Sequence, residues 1–204
     1  MPFVKPFKFN PSVKRKDLNF EFADYTWFTK LFNEKEVDAI RALWDAEFVR
    51  SAEVNKAGNE MTRDDLRKSK VMFIKADAVN DWIYERLGQA CLQTNLNRFK
   101  FDINGFQTEL QLATYDSTDF FDWHMDFGAG DISNRKLSIT VQLSDPSEYE
   151  GGELQFMINQ NIVDAPKEKG TAIVFPSFAL HRVKPIISGS RKSIVGWIGG
   201  APYR

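Results

Sequence analysis

The spacing of apolar residues changes character after Phe101. In FQTELQLATY, DFFDWHMDF, KLSITVQLSD, GELQFMI, TAIVFPS, HRVKPI and SIVGWIGG, apolar and polar positions alternate, and Gly, Pro, Asp or Ser separates the runs. That period of two predicts short strands with one buried face. Before Phe101 the period is helical. Asn33 followed by Glu36 makes a capping box, and Val37, Ile40, Ala42, Leu43 and Phe48 predict an amphipathic helix from Glu34 to about Phe48. Val79, Trp82, Ile83, Leu87, Ala90, Cys91 and Leu92 predict a second helix within Asp77 to Asn97, lying across one face of a sheet.

The rest of the N-terminal half is polar. Residues 50–70 hold little apolar matter beyond Val54, Met61 and Leu66, which predicts a long polar excursion, either a lid or substrate loop or a disordered segment, ending in a strand over Lys70 to Ile74. Residues 1–19 carry three prolines and five Lys or Arg, and predict an extended, solvated arm, with a nucleic-acid-binding tail as the alternative. Helices first and strands afterwards, with no βαβ alternation, predict a mainly β fold with flanking helices (α+β): a sandwich or barrel with N-terminal helices packed on one sheet. At 204 residues the chain is expected to form a single domain over 1–204.

Composition narrows the function classes. Lys plus Arg (27) and Asp plus Glu (28) nearly cancel, so no overall positive field draws nucleic acid or an anionic membrane. The single cysteine, Cys91, leaves no internal disulfide, cysteine-based zinc site or iron–sulfur cluster. The N-terminal stretch lacks the apolar run of a signal peptide, and no window of about 18 apolar residues could span a bilayer, so a cytoplasmic location is expected.

Two histidines carry the candidate chemistry. His124-Met125-Asp126 puts two ligand types one residue apart, on one face if the segment is a strand, with Trp123, Met125 and Phe127 on the opposite, packed face. His181, from a distant strand, would complete two histidines and one carboxylate on one face of an octahedral ion, a set that suits non-haem Fe(II). A hydrogen-bonded polar pair without metal fits those residues as well. Ten residues on, Arg191 shares strand parity with Ser193, Val195 and Trp197. An arginine facing an apolar sheet needs an anion, either a bidentate ligand or a structural ion pair. Gln111 and Tyr115 share one parity, as do Thr140 and Gln142, either as a pocket lining or as a solvated face, while Leu137, Ile139, Val141 and Leu143 point to the helices. Gly151-Gly152 reads as a tight turn.

The order Tyr115, His124-X-Asp126, LSITVQLSD, EYEGGELQF, GTAIVFPSFALHRV and Arg191-Lys192-Ser193 resembles the 2-oxoglutarate and Fe(II)-dependent dioxygenases of the prolyl 4-hydroxylase type, especially PKHD-type hydroxylases of bacteria and phages. The resemblance implies a double-stranded β-helix (jelly-roll) core and a bacterial or phage-infected host cytoplasm. It implies His124, Asp126 and His181 as iron ligands, and Arg191 as the clamp for the distal carboxylate of 2-oxoglutarate. Tyr115 stands as the pocket tyrosine, and Gln111, Thr140, Gln142, Ser193 and Trp197 as further cofactor-pocket residues.

The resemblance also implies Fe(II), 2-oxoglutarate and O2 as the reaction's requirements, with ascorbate as a reductant, and hydroxylation with release of succinate and CO2. The expected partner is a peptide, protein or amino-acid-like substrate, handled by a monomer or homodimer with no membrane partner. Asp126 favours hydroxylation, since related halogenases lack that carboxylate. Phe121 departs from the pattern where relatives often carry a tyrosine, and Arg182 has no assigned role. An AlkB-like nucleic-acid demethylase shares ligands and clamp, but Trp197 stands where that family has a second arginine. The third alternative is a non-redox metal- or sugar-binding jelly roll, which would not bind 2-oxoglutarate.

Overall fold

The computed structural model describes residues 5–6, 25–51 and 66–203. In chain order the strands are β1 (Lys5–Pro6), β2 (Thr26–Phe28), β3 (Arg50–Ser51), β4 (Arg67–Lys68), β5 (Lys70–Ile74), β6 (Ile103–Phe106), β7 (Leu110–Tyr115) and β8 (Phe120–His124). Then follow β9 (Arg135–Gln142), β10 (Tyr149–Gly151), β11 (Leu154–Ile158), β12 (Asn161–Asp164), β13 (Ala172–Pro176), β14 (His181–Val183), β15 (Ile186–Gly189) and β16 (Arg191–Gly200). The helices α1 (Glu34–Arg41) and α2 (Asp81–Thr94) lie ahead of β6. None of the described helices is long and apolar enough to cross a membrane.

The strands form a large sheet, ordered β2-β13-β9-β16-β7-β5-β3 with β6 beside β16 and β1 beside β6, a smaller one, ordered β12-β11-β14-β8-β4, and a two-stranded ribbon of β10 and β15. All their pairings are antiparallel. The two faces of the large sheet differ. Leu137, Ile139 and Val141 join Ile40, Ile83 and Leu87 of the helices in one buried cluster, while Tyr115, Phe156, Phe175 and Val183 belong to a second cluster shared with the small sheet. Strand alternation separates them: odd positions of β9 lie under the helices and even ones face the other sheet. The result is the double-stranded β-helix expected, with the helices on one sheet.

Local chemistry sets the helix ends, and both helices are shorter than their patterns predict. The Asn33–Glu36 capping box forms in both directions, at 3.0 and 2.9 Å. α1 nonetheless stops at Arg41, because Asp45 is extended and its carboxylate caps a separate 3-10 turn, Ala46–Phe48. Phe48 is accordingly 67% exposed, not part of the helix's buried stripe. α2 starts at Asp81, since the Asp77 carboxylate accepts from the Val79 and Asn80 amides and holds a turn there, leaving Val79 76% exposed. Its end widens into a π-turn, Asn95–Phe99, closed by left-handed Lys100. Arg86 of α2 binds Glu36 at 3.0 Å and the Leu31 carbonyl at 2.9 Å, joining the two helices.

The expected arm over 1–19 lies outside the described residues except for β1, which pairs with β6. Of the expected 50–70 excursion, residues 52–65 lie outside them. Its flanks are strands: β3 pairs with β5, and β4 pairs with β8. The predicted strand is β5, and β4 lies just ahead of it at Arg67–Lys68. The Gly151-Gly152 turn is as expected, with φ of 79° and 61°, and a Cβ on Gly151 would meet the Pro185 carbonyl at 2.4 Å.

Candidate metal centre

Strand pairing brings the histidines together. β14 runs antiparallel to β8 with His181 directly opposite His124, so two residues distant in sequence face each other with ring centroids 4.1 Å apart. Asp126 arrives by a different route from the one its spacing suggests. β8 ends at His124, and the chain then bends, held by the Phe127 amide on the Ser177 carbonyl at 3.0 Å. Strand alternation therefore does not place the pair. Met125 is 51% exposed instead of packed, whereas Trp123 lies under the Arg182 guanidinium at 4.6 Å and Phe127 meets Tyr203 edge-on. Arg182 also bonds Gln155 at 2.8 Å, a structural role on the small sheet.

One ligand atom from each of His124, Asp126 and His181 lies within 4.8 Å of the others. His124 Nε2 is 3.8 Å from Asp126 Oδ1 and His181 Nε2 is 3.7 Å from Asp126 Oδ2. Two metal–ligand bonds of about 2.1 Å span about 4.2 Å end to end, so one ion bridges either separation. The ring orientations suit it. His124 Nδ1 lies 2.7 Å from the Asp122 carbonyl and His181 Nδ1 lies 2.9 Å from the Ala179 carbonyl. A carbonyl only accepts, so each Nδ1 carries the proton and each Nε2 turns a lone pair to the centre.

The electrostatics keep His124 and Asp126 in their unprotonated forms. Burial, helped by His181, pushes the His124 imidazole down to about 3, so the ring is neutral at physiological pH. Burial opposes ionisation of Asp126, but His181, His124, Arg135 and the Ser138 hydroxyl outweigh it and hold the carboxyl below the ordinary range. The Ser138 hydroxyl, from β9 of the large sheet, donates to Asp126 Oδ2 at 2.6 Å and sits 3.1 Å from Ser177 Oγ. Two imidazoles and a carboxylate fit a divalent first-row ion, Fe(II) among them.

Arg191 opens β16 opposite Tyr115 of β7, with its guanidinium 5.6 Å from that ring. It is 1% exposed, yet among the described residues no carboxylate meets it. Its Nη2 donates to Gln142 Oε1 at 2.9 Å, and its Nε has no partner. The same cleft is lined by His124, Asp126, His181, Gln111, Tyr115, Thr140, Ser193 and Trp197, and the Gln111 Oε1 and Trp197 Nε1 atoms are also without partners. Gln142 differs from expectation: it does not line the cleft but holds Arg191 from behind, while its amide nitrogen bonds the Pro166 carbonyl at 3.1 Å. A buried guanidinium without an acidic partner, with unpartnered N–H donors on Arg191 Nε and Trp197 Nε1, fits a carboxylate in the cleft.

Two residues escaped the sequence reading. Ser138 shares parity with Thr140 and Gln142, so extending that row by one step would have found it. Arg67 lines the cleft from β4, with its guanidinium 4.6 Å over the Phe121 ring. Phe121 in turn stacks on His124 at 3.4 Å and 9°, so the residue that departs from the family pattern packs against a ligand ring. Nothing in the polar run around Arg67 marks it out.

Comparison with known proteins agrees with this geometry. Residues 110–199 match the family model of the 2OG-Fe(II) oxygenase superfamily. A PKHD-type hydroxylase of Synechococcus sp. (strain CC9902) is 45% identical over 80 residues, covering 39% of this chain and 36% of that relative. The chain thus aligns with about a third of the length of such curated relatives. Among solved structures, a Pseudomonas putida prolyl-4-hydroxylase has a TM-score of 0.71 at 22% identity, covering 88% of this chain and 94% of that one. A Trichoplax adhaerens prolyl hydroxylase, in complex with a hypoxia inducible factor oxygen degradation domain peptide fragment, has a TM-score of 0.71 at 16% identity, covering 87% and 84%. These two share the fold. Residues 110–199, the stretch matched by the 2OG-Fe(II) oxygenase superfamily model, supply all three members of the cluster and the buried guanidinium.

Proposed function

We propose that the protein is an Fe(II)- and 2-oxoglutarate-dependent dioxygenase that hydroxylates a prolyl residue in a peptide or a related amino-acid-like substrate. The observation that carries this reading is the coincidence, in one cleft, of the His124-Asp126-His181 cluster with Arg191, a fully buried cation for which the described chain supplies no anion. His124, Asp126 and His181 would hold the iron. Fe(II) bound there supplies the coupling of 2-oxoglutarate decarboxylation, to succinate and CO2, with transfer of one oxygen atom from O2 to a C–H bond.

The chain's own residues bind, orient and exclude water. Arg191, steadied by Gln142, presents a guanidinium fork to the distal carboxylate of 2-oxoglutarate. Tyr115 packs against that guanidinium, and Thr140, Ser193, Gln111 and Trp197 shape the cleft between it and the histidines. The carbonyls of Asp122 and Ala179 keep each imidazole in the Nε2-ligating tautomer, and Ser138 keeps Asp126 charged and oriented. Asp126 supports hydroxylation as the outcome, and ascorbate would serve as reductant. A prolyl target is supported by the kinship with PKHD-type hydroxylases and by the fold shared with prolyl hydroxylases.

Anaerobic addition of Fe(II) and 2-oxoglutarate is expected to give a weak visible charge-transfer band, and admission of air to give succinate. Absence of both overturns the assignment.

A further inference from the structure

Arg191 accounts for one carboxylate, but the cleft has a second buried arginine. Arg67 is 6% exposed on β4 and lines the same cavity as the three cluster residues. Its Nε donates to Ser69 Oγ at 2.9 Å, which fixes the plane of the guanidinium, and among the described residues the Nη1/Nη2 edge has no hydrogen-bond acceptor. Among the described residues no carboxylate pairs with it. Its other neighbour is the Phe121 ring at 4.6 Å, and that ring stacks directly on His124.

A cation buried against an aromatic ring in this way costs several kcal/mol unless an anion joins it. The Nη1/Nη2 fork matches a carboxylate edge in two parallel hydrogen bonds. In the proposed reaction the two carboxylates of 2-oxoglutarate are already placed, the distal one on Arg191 and the other beside the iron. The free fork of Arg67 therefore faces the remaining occupant of the cleft.

We infer that Arg67 binds a carboxylate on the primary substrate, so that the protein acts on a molecule carrying an acid group close to the C–H bond that is attacked. The inference rests on the proposed dioxygenase reading for the placement of 2-oxoglutarate, and it narrows the substrate class. The carboxylate belongs either to a free amino or imino acid or to an acidic side chain beside the target residue of a peptide. Phe121 contributes by being a phenylalanine: a flat apolar ring carries the guanidinium without offering it a competing acceptor.

The test is binding, with redox-inert Zn(II) in place of iron and N-oxalylglycine in place of 2-oxoglutarate. Acid and amide partners are titrated against the loaded protein by calorimetry: L-proline with L-prolinamide, and Pro-Asp and Pro-Glu tripeptides with their Asn and Gln counterparts. At least one acid is expected to bind tenfold or more tightly than its amide, and the pair showing this distinguishes a free acid from a peptide side chain.

Arg67→Met is expected to abolish the preference, and Arg67→Lys to retain part of it. N-oxalylglycine affinity should stay within about twofold in both, with circular dichroism confirming the fold. Equal binding of acid and amide across all pairs, or a preference that survives Arg67→Met, overturns the inference. So does a loss of N-oxalylglycine affinity that matches the loss of acid binding. Failure of the wild-type protein to bind N-oxalylglycine would instead count against the dioxygenase reading, and it is read separately from the acid–amide comparison.

Discussion

Ser138→Ala removes one hydroxyl and tests whether the large sheet tunes the metal cluster held mostly by the small one. The hydroxyl donates to Asp126 Oδ2 at 2.6 Å and is fully buried, so water cannot replace it. A hydrogen bond to an ionised acceptor contributes about 1.5–3 kcal/mol, and at about 1.4 kcal/mol per factor of ten this corresponds to roughly 10–100-fold in metal affinity. Losing the donor also lets the Asp126 carboxyl rise toward its ordinary range. Protons then compete with metal at higher pH, so the gap between wild type and variant widens as pH falls.

The assay is anaerobic calorimetric titration with Fe(II) or Mn(II) at two pH values, with Ser177→Ala as control. Ser177 touches Ser138 at 3.1 Å, and the cluster's hydrogen bond to Asp126 comes from Ser138. Its replacement should therefore cost less than half as much in log affinity. Metal affinity of Ser138→Ala within twofold of wild type, or an equal effect of both variants, would refute the reasoning.

Three further predictions follow from other parts of the fold. Arg191→Leu should weaken 2-oxoglutarate binding at least tenfold while Fe(II) stoichiometry stays near one, and parallel loss of both in metal titrations would contradict the clamp role. Tyr84→Phe should destabilise by about 1–3 kcal/mol in urea melts, because the Tyr84 hydroxyl donates to the Ile74 carbonyl at 2.6 Å and accepts from the Leu110 amide at 3.0 Å, and both backbone groups would be left buried. A cost below about 0.5 kcal/mol would rule out that anchoring role.

Glu153 concerns the acid limb. Burial opposes its charge, but Lys167 and Lys184 outweigh it and draw the carboxyl down to about 2. A depressed carboxyl contributes stability that is present above its unfolded value near 4.5 and is lost as pH falls toward 2. Glu153→Gln should therefore lower stability at pH 7 by about 1–2 kcal/mol and flatten the loss between pH 4.5 and 2. An unchanged slope in denaturation across that window would refute it.

Period and spacing determined much of this protein. Alternation in KLSITVQLSD settled which side chains of β9 lie under the helices and which face the site, because a strand has only two faces. The Asn33–Glu36 pair set the start of α1, since a capping box is closed by residues three apart. That His124, Asp126, His181 and Arg191 belong together was legible because few residue types could ligate a metal or pair with a carboxylate, and the structure places all four in one cleft.

What only the tertiary structure decided depends on partners far along the chain. Helix ends moved inward where Asp45 and Asp77 found backbone amides to cap, a competition that periodicity does not register. Gln142 turned from the cleft to the back of Arg191, and Ser138 reached Asp126 from the opposite sheet. Arg67 became a candidate only when β4 paired with β8 and set it on Phe121, beside a ligand histidine. Residue type fixes what a side chain can bind. Which neighbour it meets follows from strand register and sheet stacking, which sum interactions over the whole chain.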